Sequence, residues 1–195
     1  MGGFVETESE PWGREMSRID ETRDFIPIGI AVLAVSDTRD LTQDKSGDLL
    51  EGRIKAAGHY LIHREILRDE RTEIAEKLRA WCADPAVDVI LTTGGTGLTG
   101  RDVTVEAHRD VYEKEIEAFG TVFTMVSMQK IGTSAVQSRA TGGVCQGTYL
   151  FALPGSSGAC ADAWDEILKW QLDYRHRPCN FVEILPRLEE HRRRK

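Results

Sequence analysis

Beginning at Ile28, short runs of β-branched and other apolar residues alternate with longer stretches in which apolar residues recur every three or four positions. The runs Ile28–Val35, Tyr60–Leu67, Val87–Leu91 and Thr148–Leu153 predict strands. The stretches Gly47–Ala57, Thr72–Cys82, Val103–Phe119 and Ser156–Leu172 predict helices, and Ile74, Leu78, Trp81 and Cys82 trace one such apolar stripe. Strand–helix alternation of this kind implies an α/β fold of three layers, α/β/α, around a mostly parallel, doubly wound sheet. Ligands of such sheets sit at the carboxyl ends of the strands, so those ends are where chemistry is expected.

The chain has 195 residues, enough for one domain with a full core and too few for two comfortable ones. Residues 1–24 carry Glu6, Glu8, Glu10 and Glu15 without an apolar period, which predicts a flexible acidic arm, and Met16 is a plausible alternative start. Residues 25–181 form the expected α/β domain, and 182–195 a C-terminal tail closing on His191-Arg-Arg-Arg-Lys195, read as solvated. A net charge of −7 argues against nonspecific nucleic-acid binding. No apolar stretch approaches the roughly 20 residues of a membrane span, and no basic-then-apolar signal pattern opens the chain, so a cytoplasmic protein is expected. Cys82, Cys145, Cys160 and Cys179 form no C-x-x-C pair and are expected as buried thiols. His59 and His63, four apart, lack a nearby third ligand for zinc.

At the predicted strand ends lie Ser36 and Asp37, then Arg68, Asp69 and Glu70, then Leu91-Thr-Thr-Gly-Gly-Thr-Gly-Leu-Thr-Gly-Arg-Asp102, and finally Pro154-Gly-Ser-Ser157. Four glycines in a strand-to-helix turn let backbone N–H groups approach a phosphate. Gly95, Gly97 and Gly100 satisfy G-x-G-x-x-G, but Thr121–Lys130 lacks the acid a dinucleotide site wants. A triphosphate loop would need Lys and then Ser or Thr where Arg101 and Asp102 stand. The turn therefore reads as an anion cradle outside both templates. Asp69 and Asp102 are the candidate pair for a Mg²⁺ ion carried with a triphosphate, each with an alternative reading as the N-cap of the helix that follows. Ser138-Arg139 offers a hydroxyl and a planar fork for phosphate, although from spacing alone Arg139 reads first as a helix-surface residue. Leu153-Pro-Gly-Ser-Ser-Gly158 reads either as a second anion turn or as a loop whose Ser156 or Ser157 caps a helix.

Taken together these segments resemble a known family. Thr92-Thr-Gly-Gly-Thr-Gly-Leu-Thr-Gly-Arg-Asp-Val-Thr104 with Glu106-Ala107 is similar to the signature of the MoaB/Mog molybdopterin-binding adenylyltransferases of molybdenum cofactor biosynthesis. Ala34-Val-Ser-Asp37, Ser46-Gly47 and Ile131-Gly-Thr-Ser134 agree with it, and Gln137-Ser-Arg139, Leu153-Pro-Gly-Ser156 and Arg177-Pro-Cys-Asn-Phe181 look like its bacterial MoaB branch. The resemblance implies a molybdopterin-binding-domain-like fold and transfer of the adenylyl group of Mg-ATP to molybdopterin with release of pyrophosphate. It implies catalytic and Mg²⁺-binding roles for Asp69 and Asp102, and molybdopterin contacts from Ser138, Arg139, Pro154, Gly155 and Ser156. Ser36, Thr93, Gly94, Gly95, Thr96 and Gly97 fall on the nucleotide side. It also implies a homo-trimer or homo-hexamer and contact with other molybdenum cofactor enzymes. The alternative within the family is a weak or inactive paralogue acting as a molybdopterin carrier or assembly subunit.

Overall fold

The computed structural model describes residues 18–38 and 40–193. After a short strand β1 (Arg18–Ile19), the chain runs β2 (Gly29–Val35), α1 (Lys45–Ala56), β3 (Tyr60–Leu67), α2 (Arg71–Cys82), β4 (Val89–Thr93), α3 (Thr104–Arg109), β5 (Lys114–Glu115) and α4 (Glu117–Ile131). It continues through a 3₁₀ turn, Gly132–Gln137, to β6 (Thr141–Cys145), β7 (Thr148–Leu153) and α5 (Ser157–Ala163). The π-helical turn Trp164–Leu168, α6 (Lys169–Gln171), β8 (His176–Arg177) and α7 (Phe181–Ile184) follow. A six-stranded sheet has the order β3-β2-β4-β7-β6-β5. The pairs β2–β3, β2–β4 and β4–β7 are parallel, whereas β6 and β5 join antiparallel at one edge.

Alternation along β2 explains the layers. Ile30 and Val32 face one core with Leu50 and Ile54 of α1, Phe119 and Phe123 of α4, and Trp164. Ala31, Leu33 and Val35 face the other core with Ile74 and Leu78 of α2 and Ala107 of α3. A strand covered on both faces must be apolar at every position, and all seven residues of β2 are buried. Because β3 lies on one side of β2 and β4 on the other, the chain reverses direction at β2, and the carboxyl ends of β2 and β4 flank a crevice.

Several expectations need correction. The predicted helix Val103–Phe119 is broken at its centre, because Glu113 N–H donates to Val144 O and Ile116 N–H to Gly142 O, pulling 114–115 into the sheet as β5. Its partner β6 was not expected. There Gly143 is required by close approach, since a Cβ at that position would lie 2.3 Å from the Tyr112 ring. Strand β4 runs two residues later than its apolar run suggested, and Thr121–Lys130 is helix. Of the expected arm 1–24, residues 1–17 lie outside the described residues, but 18–24 belongs to the folded body. There β1 pairs with β8, and Arg23 stacks 4.2 Å over Tyr174 while donating to its carbonyl oxygen at 2.8 Å. The expected tail likewise begins inside the body, where Asn180 caps α7 and Val182 is buried; residues 194–195 lie outside the described set. Among the described residues no helix is long and apolar enough to cross a membrane.

Candidate functional site

The glycine loop leaves β4 at Thr93 and crosses directly over the end of β2. Gly94 and Gly95 have φ of 100° and 62°, a region where a side chain is strained. A Cβ at Gly95 would meet Asp69 Oδ1 and Thr104 Oγ1, each at 2.4 Å, so its absence makes room for a carboxylate and a hydroxyl. The loop is pinned on both sides: Gly94 N–H donates to Leu153 O at 3.1 Å, and Thr104 N–H donates to Gly95 O at 2.9 Å. Beneath it, the Thr92 hydroxyl meets His108 Nε2 at 2.9 Å, and Thr93 Oγ1 donates to Pro154 O at 3.2 Å. Thr93 and Thr96 are buried. Ser36 ends β2 with its N–H on Leu67 O and its hydroxyl accepting from Thr38 N–H at 3.3 Å.

Neither aspartate is a helix cap. The cap position of α2 is Glu70 and that of α3 is Val103, both without a side-chain bond. Asp102 turns back instead and accepts from Thr99 N–H at 2.9 Å and Thr99 Oγ1–H at 2.6 Å. The Thr99 hydroxyl, helped by the N–H groups of Thr99 and Gly97 and by Arg139, holds its carboxyl below the usual range. Asp69 is moved the opposite way. Burial raises its carboxyl, and the neighbouring charges of Asp37 and Asp102 raise it further. Asp37 also accepts from Asp69 N–H at 3.2 Å and from Arg101 through Nε at 3.0 Å and Nη2 at 2.8 Å. Arg101 reaches Glu70 as well, at 3.0 Å, so the loop tip is tied to the ends of β2 and β3.

Arg139 is not a helix-surface residue. It follows the 3₁₀ turn, and its guanidinium donates from Nε to Thr96 O at 2.9 Å and from Nη2 to Asp102 O at 3.3 Å. The same group grips Glu106 through Nη1 at 2.5 Å and Nη2 at 3.3 Å. Ser138, half-buried, donates its N–H to Ala135 O at 3.0 Å and is carried by Arg139 to the edge of the loop. Pro154 and Gly155 form the turn after β7, and Ser156 caps α5, accepting from Ala159 N–H at 3.2 Å.

The carboxyl ends of β2, β3, β4 and β7 thus carry Ser36, Asp69, the glycine loop with Asp102, and Pro154–Ser156, with Arg139 bound across the loop. Sequence reasoning missed Thr104 and the Glu106–Arg139 pair. Thr104 is fully buried and its Oγ1 has no hydrogen-bond partner, a hydroxyl left over beside Asp69. Hard oxygens from Asp69, Asp102 and Thr104 suit a magnesium ion bearing phosphate ligands, which takes one or two protein carboxylates. Elsewhere, His59 is buried against Phe25 and accepts weakly from Ile28 N–H at 3.4 Å, and His63 meets Asp84 at 2.8 Å. Three of the cysteines are buried as expected, but Cys179 is exposed. A cavity of about 580 Å³ between Asp84, Asp88, Gly147 and Leu185 opens at the other end of the sheet, away from the glycine loop, Asp69 and Asp102.

Comparison with known proteins converges on one family. Residues 31–174 match the family model MoCF_biosynth, described as "Probable molybdopterin binding domain". Molybdenum cofactor biosynthesis protein B of Escherichia coli (strain K12) is 46% identical over 158 residues, covering 81% of this chain and 93% of that protein. A crystal structure of a Molybdenum cofactor biosynthesis protein B superposes with a TM-score of 0.78 at 37% identity, covering 86% of this chain and 99% of the other. The tungsten cofactor synthesizing protein MoaB from Pyrococcus furiosus does so with a TM-score of 0.66 at 28% identity, covering 85% and 96%.

Proposed function

Since the chain belongs to the molybdopterin-binding-domain family of molybdenum cofactor biosynthesis proteins, we propose that it is the adenylyltransferase that activates molybdopterin. The terminal phosphate of molybdopterin attacks the α-phosphorus of ATP, a phosphoanhydride forms, the bond between the α- and β-phosphates breaks, and pyrophosphate leaves. The observation that carries this reading is the placement of Asp69 and the unpartnered Thr104 hydroxyl against Gly95, and of the Asp102 carboxylate against Gly97, on one glycine loop at the carboxyl ends of the strands.

Phosphoryl-type transfer asks the protein mainly to hold two anionic groups in line and to neutralise charge. The loop from Gly94 to Gly97, with Ser36 and the walls built by Thr93 and Thr96, holds the nucleotide phosphates. Ser138, Pro154, Gly155 and Ser156 hold the pterin side. Asp69 and Asp102 are the residues that would hold Mg²⁺, which when bound supplies positive charge to the phosphates. Asp69 must be ionised for that task, and its raised carboxyl sets the acid limit of activity. A cytoplasmic site of action belongs to the same reading, as does hand-over of product to other molybdenum cofactor enzymes. Val122, Met125, Met128, Ile131 and Val136 leave an exposed apolar row along α4 and the 3₁₀ turn, where copies would pack into a trimer or hexamer.

Incubating the protein with molybdopterin and Mg-ATP, and measuring pyrophosphate together with adenylated pterin, tests the reading. Product that falls on the order of 100-fold in Asp69→Asn and Asp102→Asn supports it. Molybdopterin binding with no pyrophosphate overturns it in favour of a carrier or assembly subunit.

A further inference from the structure

We propose that Arg139 is a positioning residue and not a phosphate ligand: paired with Glu106, it fixes the glycine loop so that Gly97 stays packed against the Asp102 carboxylate. The identity of the substrates here rests on the adenylyltransferase reading; the contacts do not. A guanidinium carries five N–H donors, and four hydrogen bonds already bind this one to Thr96 O, Asp102 O and both oxygens of Glu106. Its charge is met by the Glu106 carboxylate, and what remains is a rigid planar fork.

The two carbonyls it holds bracket the loop, one before Gly97 and one at Asp102. In a trans peptide C=O and N–H point in opposite directions, so drawing Thr96 O towards Arg139 turns the Gly97 N–H away from it. Gly97 lies directly against the Asp102 carboxylate, where a Cβ would meet Oδ2 at 2.7 Å, and Thr99 N–H donates to that same oxygen at 2.9 Å. Glu106 lies in the first turn of α3, two residues after Thr104, so the same clasp sets the helix that presents the Thr104 hydroxyl. Ser138 is covalently next to Arg139. One side chain therefore sets three things: the orientation of Asp102, the place of Thr104, and the spacing of the nucleotide-side loop from the pterin-side serine.

Arg139→Lys, Arg139→Ala and Glu106→Gln separate this from direct phosphate binding. A lysine keeps the charge but gathers its donors on one nitrogen, without the planar fork that reaches two carbonyls and both oxygens of a carboxylate. As a positioning residue, Arg139→Lys loses about as much kcat as Arg139→Ala, roughly 30-fold or more, with KM for ATP and molybdopterin moved less than about threefold. Glu106→Gln, nearly isosteric, moves kcat the same way. Rescue by lysine to within about threefold of the parent, or tighter ATP binding in Glu106→Gln as the freed guanidinium turns to phosphate, overturns the proposal. A readout independent of turnover is amide hydrogen exchange at Thr99 and Thr104, whose N–H groups are bonded within the loop, in the protein without substrates, expected to quicken about tenfold or more in Arg139→Lys and Glu106→Gln. Unchanged exchange also overturns it. If the parent makes no adenylated pterin, the enzymatic reading fails while the exchange experiment still decides the role of Arg139.

Discussion

Acidification should weaken this protein well above the pH at which its carboxylates titrate, through two histidines that folding keeps neutral. His108 is fully buried, between Thr92 Oγ1 at 2.9 Å and the Tyr112 hydroxyl at 3.1 Å, and burial pushes its pKa down to about 3. Burial likewise lowers His59 to about 4, against a smaller opposing pull from Asp173. An unfolded histidine titrates near 6.5, so below that pH the unfolded chain binds protons that the folded chain refuses, and stability falls as pH drops from 6.5 towards the folded values. At a limiting slope of about 1.36 kcal/mol per pH unit for each group, moving from pH 7 to pH 5 costs about 2 kcal/mol per histidine and about 4 kcal/mol together. Urea unfolding at pH 7, 6 and 5, at one fixed protein concentration, measures the loss. In His108→Gln the variant is less stable than the parent at pH 7, but the gap narrows by about 2 kcal/mol at pH 5, because only the parent carries that proton debt. His176, also lowered by burial, contributes equally to both proteins. A gap between parent and variant that does not change with pH would show that His108 is not held neutral in the fold.

Three further outcomes follow from the site. Gly95→Ala places a methyl 2.4 Å from Asp69 Oδ1 and Thr104 Oγ1 at a positive φ; it should cost roughly 1–3 kcal/mol in thermal unfolding and abolish product formation, and retained turnover would contradict the packing described. Asp37→Asn removes one of the charges that raise Asp69 and releases Arg101, whose charge lowers it, so the acid limb of the rate profile should move to lower pH; an unmoved limb would detach that limb from Asp69. Met125→Lys with Ile131→Lys puts two charges on the apolar row of α4 without touching a buried position. Light scattering should then report monomers, and an assembly of unchanged mass would place the subunit contact elsewhere.

The α/β architecture was readable because β2, β4 and β7 are buried on both faces and are therefore mostly apolar along their length. Strand β6 was not, since Thr141-Gly-Gly-Val-Cys145 has weak strand propensity and owes its pairing to the rings of Tyr112 and Phe151, which lie against its glycines. The break before α4 was hidden for a similar reason: the helical apolar spacing runs on through Val111 and Ile116, and only the backbone of β6 decides otherwise. At the site, local rules offered Asp69 and Asp102 as helix caps. Asp102 was instead drawn back by Thr99 within the loop, while the Asp69 carboxyl lies over Gly95. The partners of Arg139 included two main-chain carbonyls, groups every residue has and no sequence marks. The orphaned hydroxyl of Thr104 becomes visible only once burial is known.

The place of β4 between β2 and β7 bears on how the protein acquires its competence. Parallel neighbours cannot be joined by a tight turn, so the central seam forms only after long crossovers have closed, and such non-local pairing is slow to nucleate. The glycine loop hangs from that seam, with Gly94 N–H on Leu153 O, 59 residues further along the chain by the numbering of this contact. The native shape of the glycine loop should therefore arrive with the last native pairing during refolding. A fragment ending before Leu153 would carry the whole glycine motif in its sequence and none of it in its shape.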